Sequence, residues 1–129
     1  MDKKKWIFLL SHATESPLEA IVLMKVAINM KAFDDEAEID FFLMGEGVQL
    51  AKKGMADTIS MELEGQKVVV GEMLKTLIDD FGVKFYVCHA FMPSYGMTKD
   101  DLIENVEVKS SSYLGELFLD GRTPFSVNI

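Results

Sequence analysis

The chain has 129 residues, of which 49% are hydrophobic and 26% charged, so it is long enough for one domain with a hydrophobic core and too short for two ordinary ones. Its formal net charge of −8 and the scattering of its few lysines argue against nucleic acid as a partner, because most of the surface would repel a phosphate backbone. The single cysteine, Cys88, can form no internal disulfide, which is typical of the reducing cytoplasm. We therefore expect a cytoplasmic protein with one domain over residues 1–129.

The first predicted element is a strand over residues 5–11, an apolar run of the kind that is buried on both faces of a sheet. Lysines before an apolar run also occur in signal peptides, but the run over residues 6–10 is shorter than the roughly 7–15 residues that a signal peptide has. No segment approaches the ~20 apolar residues that cross a bilayer. The sequence therefore predicts a first strand and no membrane partner.

A helix is predicted to begin at Pro17. Ser16, Pro17 and Glu19 have the spacing of a capping box with proline at the first helical position. The polar stripe of this helix is unusually narrow, because apolar residues cover most of the helical wheel over residues 18–30. Either contact with another subunit or burial within the monomer would explain that surface.

The middle of the chain alternates between strand and helix patterns. Residues 38–44 are predicted to form the second strand, residues 48–53 a short helix that Gly54 ends, and residues 68–81 a helix that Gly82 ends. Residues 55–65 show no clear pattern, and we expect a surface excursion whose methionine and leucine pack down on the domain.

The last part of the chain contains three more predicted strands, at residues 83–88, 106–109 and 123–128. Thr98 caps a short helix between the first two, and a helix over residues 113–119 precedes the last. Five strands that alternate with helices predict an α/β fold, with a parallel sheet, right-handed crossovers and helices on both faces.

Cys88 lies at the carboxyl end of the third predicted strand, which is the edge of a parallel α/β sheet where ligands and chemistry are found. A lone cysteine is most often a small buried hydrophobe. However, the loop that follows Cys88 is rich in His, Met, Tyr and Gly, and thiols in such a position become accessible and reactive. Cys88 is therefore the first candidate for chemistry.

Other residues near this edge are candidates for lining the site. In a flavodoxin-like order, 2-1-3-4-5, strands one and three are neighbours, and His12 would face the same crevice as Cys88 and stabilise its thiolate; otherwise His12 is a solvated loop residue. His89 points to the opposite face while strand geometry holds. Met97 and Met92 flank the cysteine loop and suit either an adaptable contact surface or core filling.

We expect no metal and no cofactor. A zinc site built from Cys88, His89 and His12 would lack a fourth protein ligand and the usual paired spacing.

Four segments of the chain carry a family resemblance: SPLEAIVLMKVAINM after the first strand and loop, the FFLMGEGV strand and turn, the TPFSVNI terminal strand and, most specifically, GVKFYVCHAFMPSYGMTKDDLIENVEV. In these segments the chain resembles the DsrE/DsrF-like family of small sulfur-relay proteins, which includes the TusD-type subunits. The resemblance covers nearly the whole chain.

The resemblance implies a three-layer, flavodoxin-like domain with a five-stranded parallel sheet in the order 2-1-3-4-5, and assembly into trimers or hexamers. It also implies that Cys88, at the family's cysteine position, accepts a sulfane sulfur and passes it on as a persulfide. The partners would be sulfur donor and acceptor proteins, and any second thiol must come from another protein or subunit. Whether the protein turns over as a sulfurtransferase or acts as a stoichiometric carrier is left open.

Three rival functions share this fold. A nucleotide or flavin module would use the loop over residues 11–16 as a phosphate cradle, but Glu15 repels phosphate and the loop has no glycine. Gly45-Glu46-Gly47 is no stronger as a phosphate motif. A thiol peroxidase would oxidise Cys88 without a resolving cysteine in the same chain. An oligomeric ligand- or protein-binding module would use Cys88 for nothing covalent.

Overall fold

The computed structural model describes residues 4–128. Its strands are, in chain order, β1 (Lys5–Leu10), β2 (Glu38–Leu43), β3 (Ser60–Leu63), β4 (Gln66–Val69), β5 (Lys84–Cys88), β6 (Val106–Lys109) and β7 (Thr123–Phe125). β3 and β4 form an antiparallel hairpin, and the other five strands form one parallel sheet. The five predicted strands of the parallel sheet are confirmed, although the last one ends at Phe125 rather than at residue 128.

The α-helices of the described chain are α1 (Pro17–Phe33), α2 (Val70–Lys75) and α3 (Ser111–Leu119), and a π-helical turn, Thr76–Asp80, continues α2. Short 3-10 helices lie at Gly45–Ala51, Ala56–Thr58, His89–Phe91, Pro93–Tyr95 and Lys99–Asp101. α1 begins at Pro17 as predicted, but the Glu19 side chain turns to the loop after β1 instead of forming a capping box with Ser16.

The order of the parallel sheet is β6-β5-β2-β1-β7. The predicted order 2-1-3-4-5 is therefore wrong, because β2 pairs with both β1 and β5 and separates them. β2 would have been an edge strand in the predicted order. Its Phe41, Phe42 and Leu43 are all buried, and a central strand can cover such a run on both faces whereas an edge strand is more exposed.

A row of aromatic rings crosses four adjacent strands on one face of the sheet. The ring centroids of Phe8 and Phe125 lie 5.0 Å apart, those of Phe8 and Phe41 5.2 Å, and those of Phe41 and Phe85 4.6 Å. Aromatic pairs on neighbouring strands stabilise the register in which they meet. The row therefore supports the observed order β5-β2-β1-β7.

The two faces of the sheet are covered unequally. The face with the aromatic row packs under α1 and α2 and contains most of the buried apolar residues. The opposite face holds a smaller buried cluster, to which α3 contributes only Leu117 as a fully buried member. α1 buries six residues, Glu19, Ala20, Ile21, Leu23, Met24 and Ala27, so burial within the monomer accounts for much of its wide apolar surface.

Residues 55–65, which had no readable pattern, contain the Ala56–Thr58 turn and β3. The helix predicted over residues 68–81 is shorter, because β-branched Val68 and Val69 belong to β4 and pair with Met61 and Ser60 across the hairpin. Glu64 and Gly65 both have positive φ, at 53° and 78°, as a two-residue hairpin turn of type I′ requires. The short helix predicted over residues 48–53 is a 3-10 helix that begins earlier, at Gly45.

Candidate functional site

Cys88 is the last residue of β5 and lies at the carboxyl edge of the parallel sheet, as predicted. Its side chain belongs to the smaller cluster, together with Ile7, Phe42, Tyr86 and Leu117, and only 2% of the residue is exposed. Partly buried residues complete the surroundings of the cluster: Leu9, Met44, Tyr113 and Leu114. The thiol therefore lies in an apolar cluster to which α3 contributes side chains.

The loop after Cys88 is built of two 3-10 turns that end at Gly96, whose φ of 65° is the left-handed conformation that glycine adopts readily. The predicted cap at Thr98 is present as a capping box with Asp101. His89 is exposed. Met97 and Met92 are buried in the larger cluster, on the other side of the sheet from Cys88, so they fill the core rather than line the thiol.

His12 follows β1 and does not share a two-strand crevice with Cys88. Since β2 lies between β1 and β5, the two residues are separated by two strand spacings, or roughly 10 Å. The His12 Nδ1 atom donates a hydrogen bond of 2.6 Å to Oε2 of Glu19, which is buried. The expected partnership with the thiolate depended on the wrong strand order.

Glu19 controls the charge of His12. The hydrogen bond from His12 to Glu19 is the main cause that raises the pKa of His12 above its ordinary value of 6.5, with help from the charges of Glu19, Glu15 and Glu46 and opposition from burial. The Glu19 carboxylate also accepts a 2.8 Å hydrogen bond from the backbone N–H of Ser11. His12 thus serves to hold the loop after β1 onto α1.

A second carboxylate, Glu46, occupies the same loop. Its Oε1 atom accepts from the backbone N–H groups of Ala13 at 2.6 Å and Glu15 at 2.9 Å, and its Oε2 atom accepts from Thr14 N at 3.1 Å. Gln49 donates to Oε2 as well, at 2.8 Å. Glu46 is 5% exposed, so three consecutive amides of the loop enclose a buried carboxylate.

The two glycines beside Glu46 make this arrangement possible. A Cβ atom at Gly47 would lie 2.5 Å from the carbonyl oxygen of Leu10, so only glycine fits there. Gly45 has a φ of 54° and lies close to Ser11. From the sequence this glycine pair was a weak phosphate motif, and the role of Glu46 was not predicted. The available signal was a carboxylate between two glycines directly after a central strand.

The hydrogen bonds made by the amides of this loop are relevant to the rival function of a nucleotide or flavin module. A phosphate cradle needs free backbone N–H groups at the start of the helix. Here the backbone N–H of residue 11 donates to the Glu19 carboxylate, and the backbone N–H groups of residues 13–15 donate to the Glu46 carboxylate. An incoming phosphate would have to displace a buried carboxylate of like charge, which argues against this loop as a nucleotide site.

A second polar cluster lies at the opposite edge of the sheet and was not predicted. The Oδ2 atom of buried Asp40 is 3.2 Å from Nη2 of Arg122 and accepts a 3.3 Å hydrogen bond from Tyr86, whose hydroxyl is 3.4 Å from that of Tyr113. Burial raises the pKa of Asp40, and Arg122 opposes that rise. These residues line a cleft of about 610 Å³. Because Arg122 also donates to the carbonyl oxygen of Trp6 at 3.1 Å, the cluster ties the end of the chain to β1 and β2.

Within residues 4–128, no group of three or more His, Cys, Asp or Glu side chains is arranged to hold a metal ion. No helix within this part of the chain is both long and apolar enough to span a membrane.

The fold and site define a class of small α/β proteins with a parallel five-stranded sheet and a single thiol at its carboxyl edge. Within that class the chain belongs to the DsrE/DsrF-like family, whose sequence profile matches residues 4–125. The predicted family is thereby confirmed. No curated protein matches the sequence.

Two solved structures have the same fold. A protein of unknown function from Methanobacterium thermoautotrophicum, MTH1491, superposes with a TM-score of 0.75 at 18% identity, over 95% of this chain and 98% of its own. The ychN protein from E. coli superposes with a TM-score of 0.76 at 18% identity, over 95% of this chain and 99% of its own. At this identity the likeness is one of fold.

Proposed function

We propose that this protein is a sulfur-relay protein in which Cys88 accepts a sulfane sulfur, carries it as a persulfide and donates it to an acceptor. The observation that supports this most is the position of the only cysteine of the chain, at the carboxyl end of β5 in a DsrE/DsrF-like chain. A carrier of this kind needs one nucleophilic thiolate and no resolving cysteine of its own.

The transfer is a pair of thiol exchange steps. The Cys88 thiolate attacks the outer sulfur of a donor persulfide, a new S–S bond forms at Sγ, and the donor S–S bond breaks. The donor thiolate leaves with the electron pair of that bond. An acceptor thiolate then attacks the same outer sulfur and releases the Cys88 thiolate, so neither step needs an external oxidant or reductant.

The burial of Cys88 sets a condition for this chemistry. With 2% of the residue exposed, a donor reaches the sulfur only when the cover formed by α3 opens. α3 is suited to opening, because Leu117 is its only fully buried residue, Gly115 lies in its middle and its N-cap residue Ser110 makes no side-chain capping bond.

Assembly into a homo-oligomer, a trimer or hexamer, is part of the proposal. Two neighbouring apolar residues at the end of α3 are exposed on the single chain, Leu119 at 91% and Phe118 at 41%. Exposed apolar side chains that lie together favour contact with another protein surface. We propose the face that carries α3 as the contact, with a cytoplasmic location and with donor and acceptor proteins as further partners.

The decisive experiment is intact-protein mass spectrometry of wild type and Cys88→Ser after incubation with inorganic polysulfide. We expect the wild type to gain the mass of one or more sulfur atoms, reductant to remove it, and the variant to remain unmodified. Transfer to an added acceptor thiol, followed over repeated cycles, then separates a catalytic sulfurtransferase from a stoichiometric carrier.

The burial of the thiol favours one alternative, the binding module in which Cys88 is a structural residue. That alternative predicts a wild type that gains no sulfur and resists alkylation in the folded state. A thiol peroxidase would instead form a sulfenic acid with hydrogen peroxide, which a dimedone-type probe traps as a Cys88 adduct.

A further inference from the structure

Lys109 is the cation that lies beside Cys88 in the sheet. It ends β6 and is the register partner of Cys88 in the parallel β5–β6 pair, where neighbouring strands lie about 4.8 Å apart. The Lys109 Nζ atom is 4.4 Å from the ring centroid of Tyr113, and Tyr113 packs against the cluster that contains Cys88. The ammonium group therefore lies on the same face of the sheet as the thiol.

The ammonium group has no carboxylate partner within the described chain. Within the described chain it makes a cation–π contact with the Tyr113 ring, which attracts a cation without neutralising its charge. Lys109 is half-buried at the edge of the sheet, and Glu107 is the acidic residue that shares its face of β6. His12, by contrast, is already paired with Glu19.

We propose that Lys109 is the specificity-determining residue of the Cys88 site and selects an anionic sulfur donor, such as an inorganic polysulfide. This inference rests on the proposed function. A chain of net charge −8 repels such anions at long range, so their capture needs a local cation beside the thiol. The Cys88 thiolate attacks the terminal sulfur of the polysulfide, an S–S bond forms at Sγ, and the shortened polysulfide leaves with the electron pair of the broken bond. Lys109 forms an ion pair with the anionic donor and then with the resulting persulfide anion, and it takes no part in the bonds that form and break.

The test uses three methanethiosulfonate reagents that share one reactive group and carry a sulfonate, a methyl group or a trimethylammonium group. The labelling rate of Cys88 by each reagent is measured for wild type, Lys109→Gln and Lys109→Arg. Lys67→Gln is the matched control, because it removes the same charge from the exposed β3–β4 hairpin. The ratio of the sulfonate rate to the trimethylammonium rate cancels any change in the opening of α3.

We expect Lys109→Gln to lower this ratio on the order of three- to tenfold, the size of one charge contact in a partly solvated setting. Lys109→Arg and Lys67→Gln should keep the wild-type ratio, and raising the salt concentration should narrow the difference between wild type and Lys109→Gln. The rate of polysulfide loading, followed by mass spectrometry, should fall in parallel with the sulfonate rate.

Two outcomes would count against the idea in different ways. If Cys88 is labelled by all three reagents and the ratio is the same in every variant, Lys109 does not select anions, while the sulfur-relay function stands. If none of the reagents labels folded wild type, the thiol is structural and both the function and the role of Lys109 are overturned.

Discussion

Glu46 is the residue on which the loop after β1 depends. Its carboxylate is the acceptor for three consecutive backbone N–H groups and for Gln49, and it is buried with them. Hydrogen bonds to a buried charge contribute more than neutral ones, and losing the acceptor leaves buried donors unpaired. One side chain therefore fixes the loop that begins α1.

We expect Glu46→Ala to lower the free energy of unfolding by roughly 2–4 kcal/mol, because the loop amides lose their acceptor. Urea unfolding followed by circular dichroism measures this change. Glu62→Gln, at an exposed position of β3, is the control and should lie within about 0.5 kcal/mol of wild type. A Glu46→Ala variant as stable as this control would mean that water replaces the carboxylate at no cost.

The pair of His12 and Glu19 makes stability depend on pH. The pKa of His12 is raised in the folded protein, so between its unfolded value of about 6.5 and its folded value the native state binds more protons than the unfolded state. The stabilisation is complete below pH 6.5 and is lost as the pH rises through the folded pKa. Because the His12 side chain is 45% exposed, we expect a small effect.

The measurement is the difference in free energy of unfolding between wild type and His12→Asn, taken from about pH 5.5 to about pH 9, a range that begins below the unfolded histidine pKa of about 6.5. Wild type should lose its advantage as the pH rises. The same series with Ser60→Ala, at an exposed position of β3 and without a titrating side chain, should show no such trend. An advantage that instead grew with pH would show that His12 is neutral in the pair.

At the scale of elements, α3 is the proposed cover of Cys88. It contributes Tyr113, Leu114 and Leu117 to the cluster that contains the thiol, and it holds Gly115 at a position where an added Cβ atom would meet nothing within 4 Å. Alanine at a helical glycine stabilises the helix by about 0.8–1.0 kcal/mol. A Gly115→Ala substitution would therefore slow the opening of α3 without altering the thiol.

We expect Gly115→Ala to slow the alkylation of Cys88 by a neutral reagent about fivefold, and Leu117→Ala, which removes the buried contact of α3, to speed it. Phe41→Ala is the control for global unfolding, because it weakens the opposite face of the sheet. If alkylation of the three variants follows their global stability alone, the thiol is reached by complete unfolding and α3 is not its cover.

The aromatic row joins the strands into one sheet. Phe41 is fully buried at its centre and contacts the rings of both Phe8 and Phe85. We expect Phe41→Ala to cost about 3–5 kcal/mol in the free energy of unfolding, measured with urea. Phe33→Ala is the matched control, since Phe33 is 94% exposed and should cost little. Equal costs at the two positions would contradict the packing described above.

At the scale of the whole molecule, α3 is the one α-helix within residues 4–128 that packs on the face of the sheet with the smaller buried cluster, and it carries exposed apolar side chains. Leu119 is 91% exposed at the end of α3, next to half-exposed Phe118. Light scattering after size exclusion should give a mass of a trimer or hexamer for wild type. Leu119→Lys should reduce that mass, because a buried ammonium group destabilises an apolar contact. Glu62→Lys, which adds a lysine on β3, should leave it unchanged.

The local signals of the sequence were sufficient for much of the fold. Apolar runs identified the five parallel strands, Pro17 marked the start of α1, and Thr98 marked the N-cap of the 3-10 helix at Lys99–Asp101. These signals act within a few residues and depend on backbone sterics and local hydrogen bonds. The position of Cys88 at the carboxyl edge of the sheet follows from the same reasoning, and it was predicted correctly.

The tertiary structure alone decided which strands are neighbours and which side chains meet. An apolar run is equally suited to several neighbours, so periodicity did not reveal that β2 separates β1 from β5, nor that His12 meets Glu19 rather than Cys88. Glu46 and the amides of residues 13–15 are more than thirty positions apart along the chain, and so are Asp40 and Arg122. Such contacts depend on the packing of whole elements, which is why the sequence by itself indicated the family and the thiol but not the setting of the site.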